Sequence, residues 1–217
     1  MLYHSKNNTS SSSVDRKRNG FTLTELLISI SIIVVILSVV VSNQSTYTDS
    51  ASLYNLADQI SLTISQAQAY GVGVRELSTG SSDFNIAYGL TFSLLDSGSN
   101  TAYLYFADRD ANSSYNGDWS CVVGGASECL QKFDISQGNS IDSLCLIKTS
   151  GPHECNDLAR VDITFARPST EAKMFFFNNG GNPFSPSEVR GVKIILRSSK
   201  GSLRSVVVYY TGQISVE

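Results

Sequence analysis

Residues 16–41 read RKRNGFTLTELLISISIIVVILSVVV: three cations, a short polar joint, then an apolar run from Phe21 to Val41. The run carries one charge, Glu25, and neither Pro nor Gly. At about 1.5 Å per residue a helix of this length crosses a hydrocarbon core of roughly 30 Å. No other stretch of the 217 residues compares with it, so one span is expected. Arg16, Lys17 and Arg18 just ahead of it predict a cytoplasmic N-terminus. Everything after about Ser42 then lies outside the cytoplasm.

Two simpler readings fit less well. A secretory signal peptide ends in small residues after its apolar stretch, whereas Ser42, Asn43, Gln44 and Ser45 follow here. An ordinary anchor has no use for Glu25, because an unpaired carboxylate in lipid is costly and marks a functional position. Residues 16–27, RKRNGFTLTELL, resemble the class III prepilin signal of type IV pilins and type II secretion pseudopilins. The resemblance implies cleavage between Gly20 and Phe21 by prepilin peptidase, followed by N-methylation of Phe21. It also makes Glu25 the fifth residue of the mature chain, where it neutralises the positive N-terminus of a neighbouring subunit. Residues 1–20 are then a Ser- and Asn-rich cytoplasmic leader. Major pilins commonly carry a proline in this helix at the position of Ser42, so helix melting there is not expected.

Beyond the apolar run, Leu53, Leu56, Ala57, Ile60, Ile64, Ala67 and Gln68 recur at three- and four-residue steps, an amphipathic helical stripe. Gly71 and Gly73 supply a stop near Tyr70. The reading is a transmembrane helix over 21–41, its periplasmic continuation over 42–70, and a domain over 71–217. In that domain Ile86–Leu95 and Thr101–Phe106 read as a hairpin turning at 96–100. Arg160–Phe165, Ala172–Phe177, Val189–Arg197 and Leu203–Tyr210 are four further strands, with Gln213–Val216 closing the chain. The fold class is α+β: a long N-terminal helix, membrane-spanning in its first half, packed on a C-terminal antiparallel sheet domain.

AYGLTF at 87–92, YLYFADRDANSSYNGDW at 103–119, VDITFARPS at 161–169 and SVVVYYTGQISVE at 205–217 resemble the GspH/FimT type of minor pseudopilin. That resemblance implies a pilin-like minor subunit that helps initiate or cap a type II secretion pseudopilus or a type IV pilus. Its partners would be other pilins or pseudopilins, an inner-membrane assembly platform and membrane lipid.

The chemistry-bearing residues are few. Asp108, Asp110 and Asn112 space like the start of a calcium loop, but Ser113 and Trp119 stand where such loops want Gly and Glu. An Asx-rich turn is the plainer reading. The four cysteines, Cys121, Cys129, Cys145 and Cys155, lie C-x7-C and C-x9-C, wider than the tight pairs favoured by zinc. In a chain carried outside the cytoplasm they suggest disulfides. Three pairings are open; local closure, Cys121 with Cys129 and Cys145 with Cys155, is the simplest, with both segments read as loops. His4 falls in the leader and His153 in a cysteine loop; neither belongs to a catalytic motif, so no enzyme and no cofactor are expected.

Charge argues against a general nucleic-acid binder. Four of 16 basic and one of 19 acidic residues fall in 1–20, leaving 12 basic against 18 acidic. Yet Arg190, Lys193, Arg197, Lys200 and Arg204 form a basic tract from Val189 to Val216 without an acid. In some FimT-type pilins a basic closing segment is linked to DNA uptake, with arginines after a Gly in the last strand. Gly212 here is followed by Gln213, Ile214, Ser215, Val216 and Glu217. A solvated basic edge that discourages sheet-to-sheet pairing is the preferred reading; DNA is the alternative partner.

Overall fold

The structure, a computed structural model, describes residues 20–73, 86–124 and 127–217, without the side chains of Ser42, Asn43, Ser45 and Thr46. Residues 1–19 of the expected leader, including Arg16, Lys17 and Arg18, lie outside the described residues. The chain divides into two compact units, Met1–Gln44 and Ser45–Glu217. Helix α1, Leu23–Val72, runs through the division.

In the first unit the helix begins where Thr22 caps it. Its Oγ1 accepts the Glu25 N–H at 3.3 Å and its carbonyl accepts the Leu26 N–H at 3.1 Å. Thr22-Leu23-Thr24-Glu25 has the spacing of a capping box, with an acid in the first turn where the helix dipole favours it. Leu23–Val41 is long and apolar enough to cross a membrane, and its side chains are exposed. Ser29, Ser31 and Ser38 donate their hydroxyls to the carbonyls four residues back, which satisfies these groups without water.

In the second unit the amphipathic stripe meets two antiparallel sheets. The first has the order β3 (Cys129–Asp134), β2 (Ser99–Asp108), β1 (Ala87–Ser93), β5 (Arg160–Phe165), β6 (Ala172–Phe177) and β7 (Pro183–Phe184). The second has the order β10 (Ile214–Val216), β9 (Leu203–Tyr209), β8 (Val189–Arg197) and β4 (Ser140–Lys148). Leu53, Leu56, Ala57, Ile60, Ile64 and Ala67 are buried in one cluster with inward residues of both sheets, among them Leu90, Phe92, Tyr103, Ile163, Phe165, Val192, Ile194, Val206 and Val208. The period-two alternation of strands and the 3.6-residue period of the helix thus feed one core.

Two departures from the expected pattern have a common cause. The domain holds two sheets rather than one, and the cysteine region, read as loops, supplies β3 and β4. Local pattern favoured loops because CLQKFD and SIDSLCLIK sit among Gly, Ser and Asn and neither alternates cleanly between apolar and polar residues. Pairing decides otherwise: β3 is ordered by β2, and β4 by β8 over Ser140–Lys148. The helix ends at Val72 rather than Tyr70, and the hairpin loop falls between Ser93 and Ser99. The structure bonds Cys121 to Cys129 and Cys145 to Cys155. The second bridge holds segment 149–157 along β4, where Leu146 and Glu154 exchange backbone hydrogen bonds of 2.7 and 3.1 Å.

Side chains clasp the second-unit part of α1 at both ends. Asp49, 8% exposed, accepts the Ser198 and Ser199 hydroxyls at 2.6 and 2.8 Å in the β8–β9 turn. Gln68 donates its amide to the Thr170 and Gly212 carbonyls at 2.9 and 3.1 Å. Gly212 has φ +83°, and a Cβ there would overlap the Thr170 carbonyl oxygen, so this closing turn requires glycine on both counts.

Candidate functional site

The junction at residues 20–25 is built from chain that makes few contacts of its own. Gly20 is exposed, and a Cβ added to it would meet nothing within 4 Å. Phe21 is 80% exposed. The serine hydroxyls of the apolar helix are internally bonded, whereas the Glu25 carboxylate accepts no hydrogen bond among the described residues. Among the described residues none makes a contact that demands glycine at 20, an aromatic at 21 or an acid at 25. Residues 15–41 match the family model of the prokaryotic N-terminal methylation motif. No curated protein and no solved structure matches the chain. The motif marks a type IV pilin-like precursor and implies processing by prepilin peptidase and assembly with other pilins. It spans Gly20, Phe21 and Glu25 together.

The acidic turn is a different object. Asp108, Asp110 and Glu128 bring carboxylate oxygens within 4.8 Å of one another, and Glu128 was not legible as a member because it returns from across the disulfide loop. Asn112 stands beside them in another role: its Oδ1 accepts the Ser114 N–H at 2.7 Å and its amide donates to Asp110 at 2.8 Å. The carboxylates face the loop's own donors. Asp108 accepts the Asn112 and Ser113 N–H groups at 3.1 and 2.8 Å, and Glu128 accepts those of Arg109 and Asn116 at 3.2 and 2.8 Å. These residues shape residues 108–116 over the outer face of the first sheet, where Leu104, Phe106, Tyr115 and Cys129 form a second small core. Burial, then the charges of Asp118 and Glu128, push the Tyr115 phenol up to about 12; it donates to the Asp118 carbonyl at 2.7 Å.

This arrangement has a pH consequence. Burial, opposed by N–H donors and assisted by Asp110, raises the Asp108 and Glu128 carboxyls above their ordinary values. A raised folded value means that the folded state binds the proton more tightly, so acidification from neutrality toward the ordinary carboxylate range stabilises it. Asp49 acts oppositely, because the Ser198 and Ser199 hydroxyls hold its carboxyl below the usual range. Its contribution is intact above its unfolded value and is lost as pH falls through the folded one. The urea midpoint should therefore be higher near pH 5 than near pH 7 and fall again below about pH 4. Glu128→Gln should flatten the upper part of that profile.

The basic tract is largely engaged within the fold. Lys193 pairs with Glu217 at 2.7 Å and Arg197 with Asp142 at 2.5 Å. The Arg204 guanidinium lies 3.6 Å from the Tyr54 ring centroid, and that of Arg190 lies 5.8 Å from that of Tyr209. His153 is exposed in the Cys145–Cys155 loop.

Proposed function

We propose that this chain is the precursor of a minor pilin or pseudopilin, a structural subunit rather than an enzyme. The observation that carries the reading is the conjunction of the methylation motif over 15–41 with a Glu25 carboxylate that finds no hydrogen-bond donor among the described residues of its own chain. Prepilin peptidase cuts after Gly20 and methylates the Phe21 amine. The apolar helix holds the chain in the inner membrane with its N-terminus cytoplasmic and the Ser45–Glu217 unit on the far side. An assembly platform then moves the subunit into a pilus or pseudopilus, where Glu25 meets the Phe21 amine of a neighbour.

The physics favours pairing over solitude. A carboxylate and an ammonium that enter a low-dielectric fibre core apart each lose their hydration, whereas together they offset much of that cost. The two-sheet domain, with the landmarks at 87–92, 103–119, 161–169 and 205–217, supports the GspH/FimT-like minor role and a place at the initiating tip. DNA uptake is the second reading; the pairing of Lys193 and Arg197 within the domain makes it weaker. Glu25→Leu is expected to leave membrane insertion and cleavage intact and to reduce recovery in sheared fibres by at least about tenfold, the loss of roughly 1.4 kcal/mol or more of pairing. Equal recovery of variant and wild type would remove the assembly role assigned to Glu25.

A further inference from the structure

Strands β5 and β6 pair with Arg160 opposite Phe177 and Asp162 opposite Phe175, so these four side chains share one face of the first sheet. Val161, Ile163 and Phe176 point the other way into the main core. Phe175 and Phe177 pack in neither core cluster among the described residues. Segment 108–116 covers Asp162 on this outer face, where the Ser114 hydroxyl and the Tyr115 N–H reach it. Between that segment and strands β5 and β6 lies a groove of about 520 Å³, a size that suits a small ligand. Asn112, Ser114 and Asn116 line it from the segment, and Arg160, Phe175 and Phe177 from the sheet.

The polar atoms of this groove are held in place by the fold. The Arg160 guanidinium donates Nε and Nη2 to Asp162 at 3.0 and 2.7 Å, and Nη2 also to the Tyr115 carbonyl. It lies 4.4 Å from the Phe177 ring centroid. Its Nη1 has no hydrogen-bond partner among the described residues and is the edge left for a ligand. The exposed Asn116 donates its amide to Asp110 at 2.6 Å, which leaves Oδ1 as an acceptor without a donor among the described residues. The Phe175 and Phe177 rings, with centroids 5.3 Å apart, add two apolar faces. Asp162 neutralises Arg160 and Asp110 stands behind Asn116, so nothing among the lining residues favours an anion. One donor, one acceptor and two aromatic faces without net charge suit a ligand that is hydroxylated at its edge and apolar on its C–H surface. A pyranose has that pattern, because its electropositive C–H face sits against the electron-rich face of an aromatic ring.

We propose that this groove binds a neutral saccharide, with Phe175 and Phe177 against its C–H face and Arg160 Nη1 and Asn116 Oδ1 on its hydroxyls. The site lies wholly within the Ser45–Glu217 unit and needs neither a membrane nor a neighbouring subunit. It therefore goes beyond the assembly reading and does not rest on it. Asp162 gains a second use, since it holds the guanidinium in an orientation that leaves Nη1 to the groove.

The test uses the full chain in a detergent without a sugar head group. Cellobiose, maltose and N,N′-diacetylchitobiose are probed by saturation-transfer NMR at about 10 mM, where millimolar binding is detected. Transfer should reach the ring C–H protons of at least one of them. Phe175→Leu keeps an apolar side chain outside both cores and should weaken that binding by about fivefold, with the urea midpoint little changed. Asn116→Ala, at an exposed position, should also weaken it and carries the test if Phe175→Leu fails to fold. Absence of transfer to all three sugars overturns the proposal, as does binding that neither variant weakens. Tighter binding of digalacturonate than of any neutral sugar overturns the neutral class.

Discussion

Asp162→Ala is expected to destabilise the Ser45–Glu217 unit by about 3–5 kcal/mol, the cost of stripping one partner from a buried ion pair. Asp162 is fully buried in the middle of β5, pointing away from the main core between Val161 and Ile163. Its oxygens accept Arg160 Nε at 3.0 Å and Nη2 at 2.7 Å, the Ser114 hydroxyl at 2.9 Å and the Tyr115 N–H at 2.9 Å. Removing it takes the acidic partner from a guanidinium with 18% side-chain exposure, leaving it the Tyr115 carbonyl and the Phe177 ring, and unpairs two loop donors at once. It also frees Tyr115, whose ring packs against Phe106 at 5.4 Å in the outer cluster. Against a typical total of about 5–15 kcal/mol this is a large share. The urea midpoint of the detergent-solubilised chain should fall accordingly, with Asp162→Asn in between because its remaining oxygen still accepts the loop donors. A loss below about 1 kcal/mol would mean that the 108–118 segment is held by Asp108 and Glu128 without help from β5.

Gly20→Leu should produce the opposite pattern, with stability unchanged and processing lost. Space around Gly20 is open, so this fold tolerates a side chain there without rearrangement. If the peptidase reads Gly20, as proposed above, a four-carbon side chain there should be rejected. Mature chain should fall by about a hundredfold or more relative to precursor. Intact mass of the membrane fraction checks it: residues 1–20 retained, no methyl group on Phe21, and an unaltered denaturation midpoint. Normal processing would move the cleavage site elsewhere in the junction. Together the two substitutions separate what the domain needs in order to fold from what the junction needs in order to be used.

The same separation divides what is legible in the sequence from what is not. The apolar run, Glu25, the stripe from Leu53 to Gln68 and the strands at 160–165, 172–177 and 189–197 are all legible, because each depends on a local period or a composition that neighbouring residues fix. The methylation motif over 15–41 is legible as well, because it is a local pattern of residues that needs no tertiary contact. Less is visible in the acidic turn. Asp108, Asp110 and Asn112 stand out as three spaced oxygens, but Glu128 and Asp162 come from distant parts of the chain. The donors they satisfy include backbone N–H groups, which no motif displays.

Tertiary structure decided the rest. CLQKFD and SIDSLCLIK became strands because β2 and β8 offered unpaired edges, and an edge orders a segment whose own propensity is weak. Asp49 looks like an ordinary polar position of the helix, and Gln68 like the polar end of its stripe, until the turns at 198–202 and 211–213 fold over them. Sequence alone determined that residues 15–41 carry an apolar helix behind a prepilin-type junction, since that depends on length, hydropathy and one carboxylate. Which side chains would be neutralised, clasped or left facing outward depended on contacts across more than a hundred residues, as between Asp49 and Ser198. Only the closed fold brings such partners within hydrogen-bond reach.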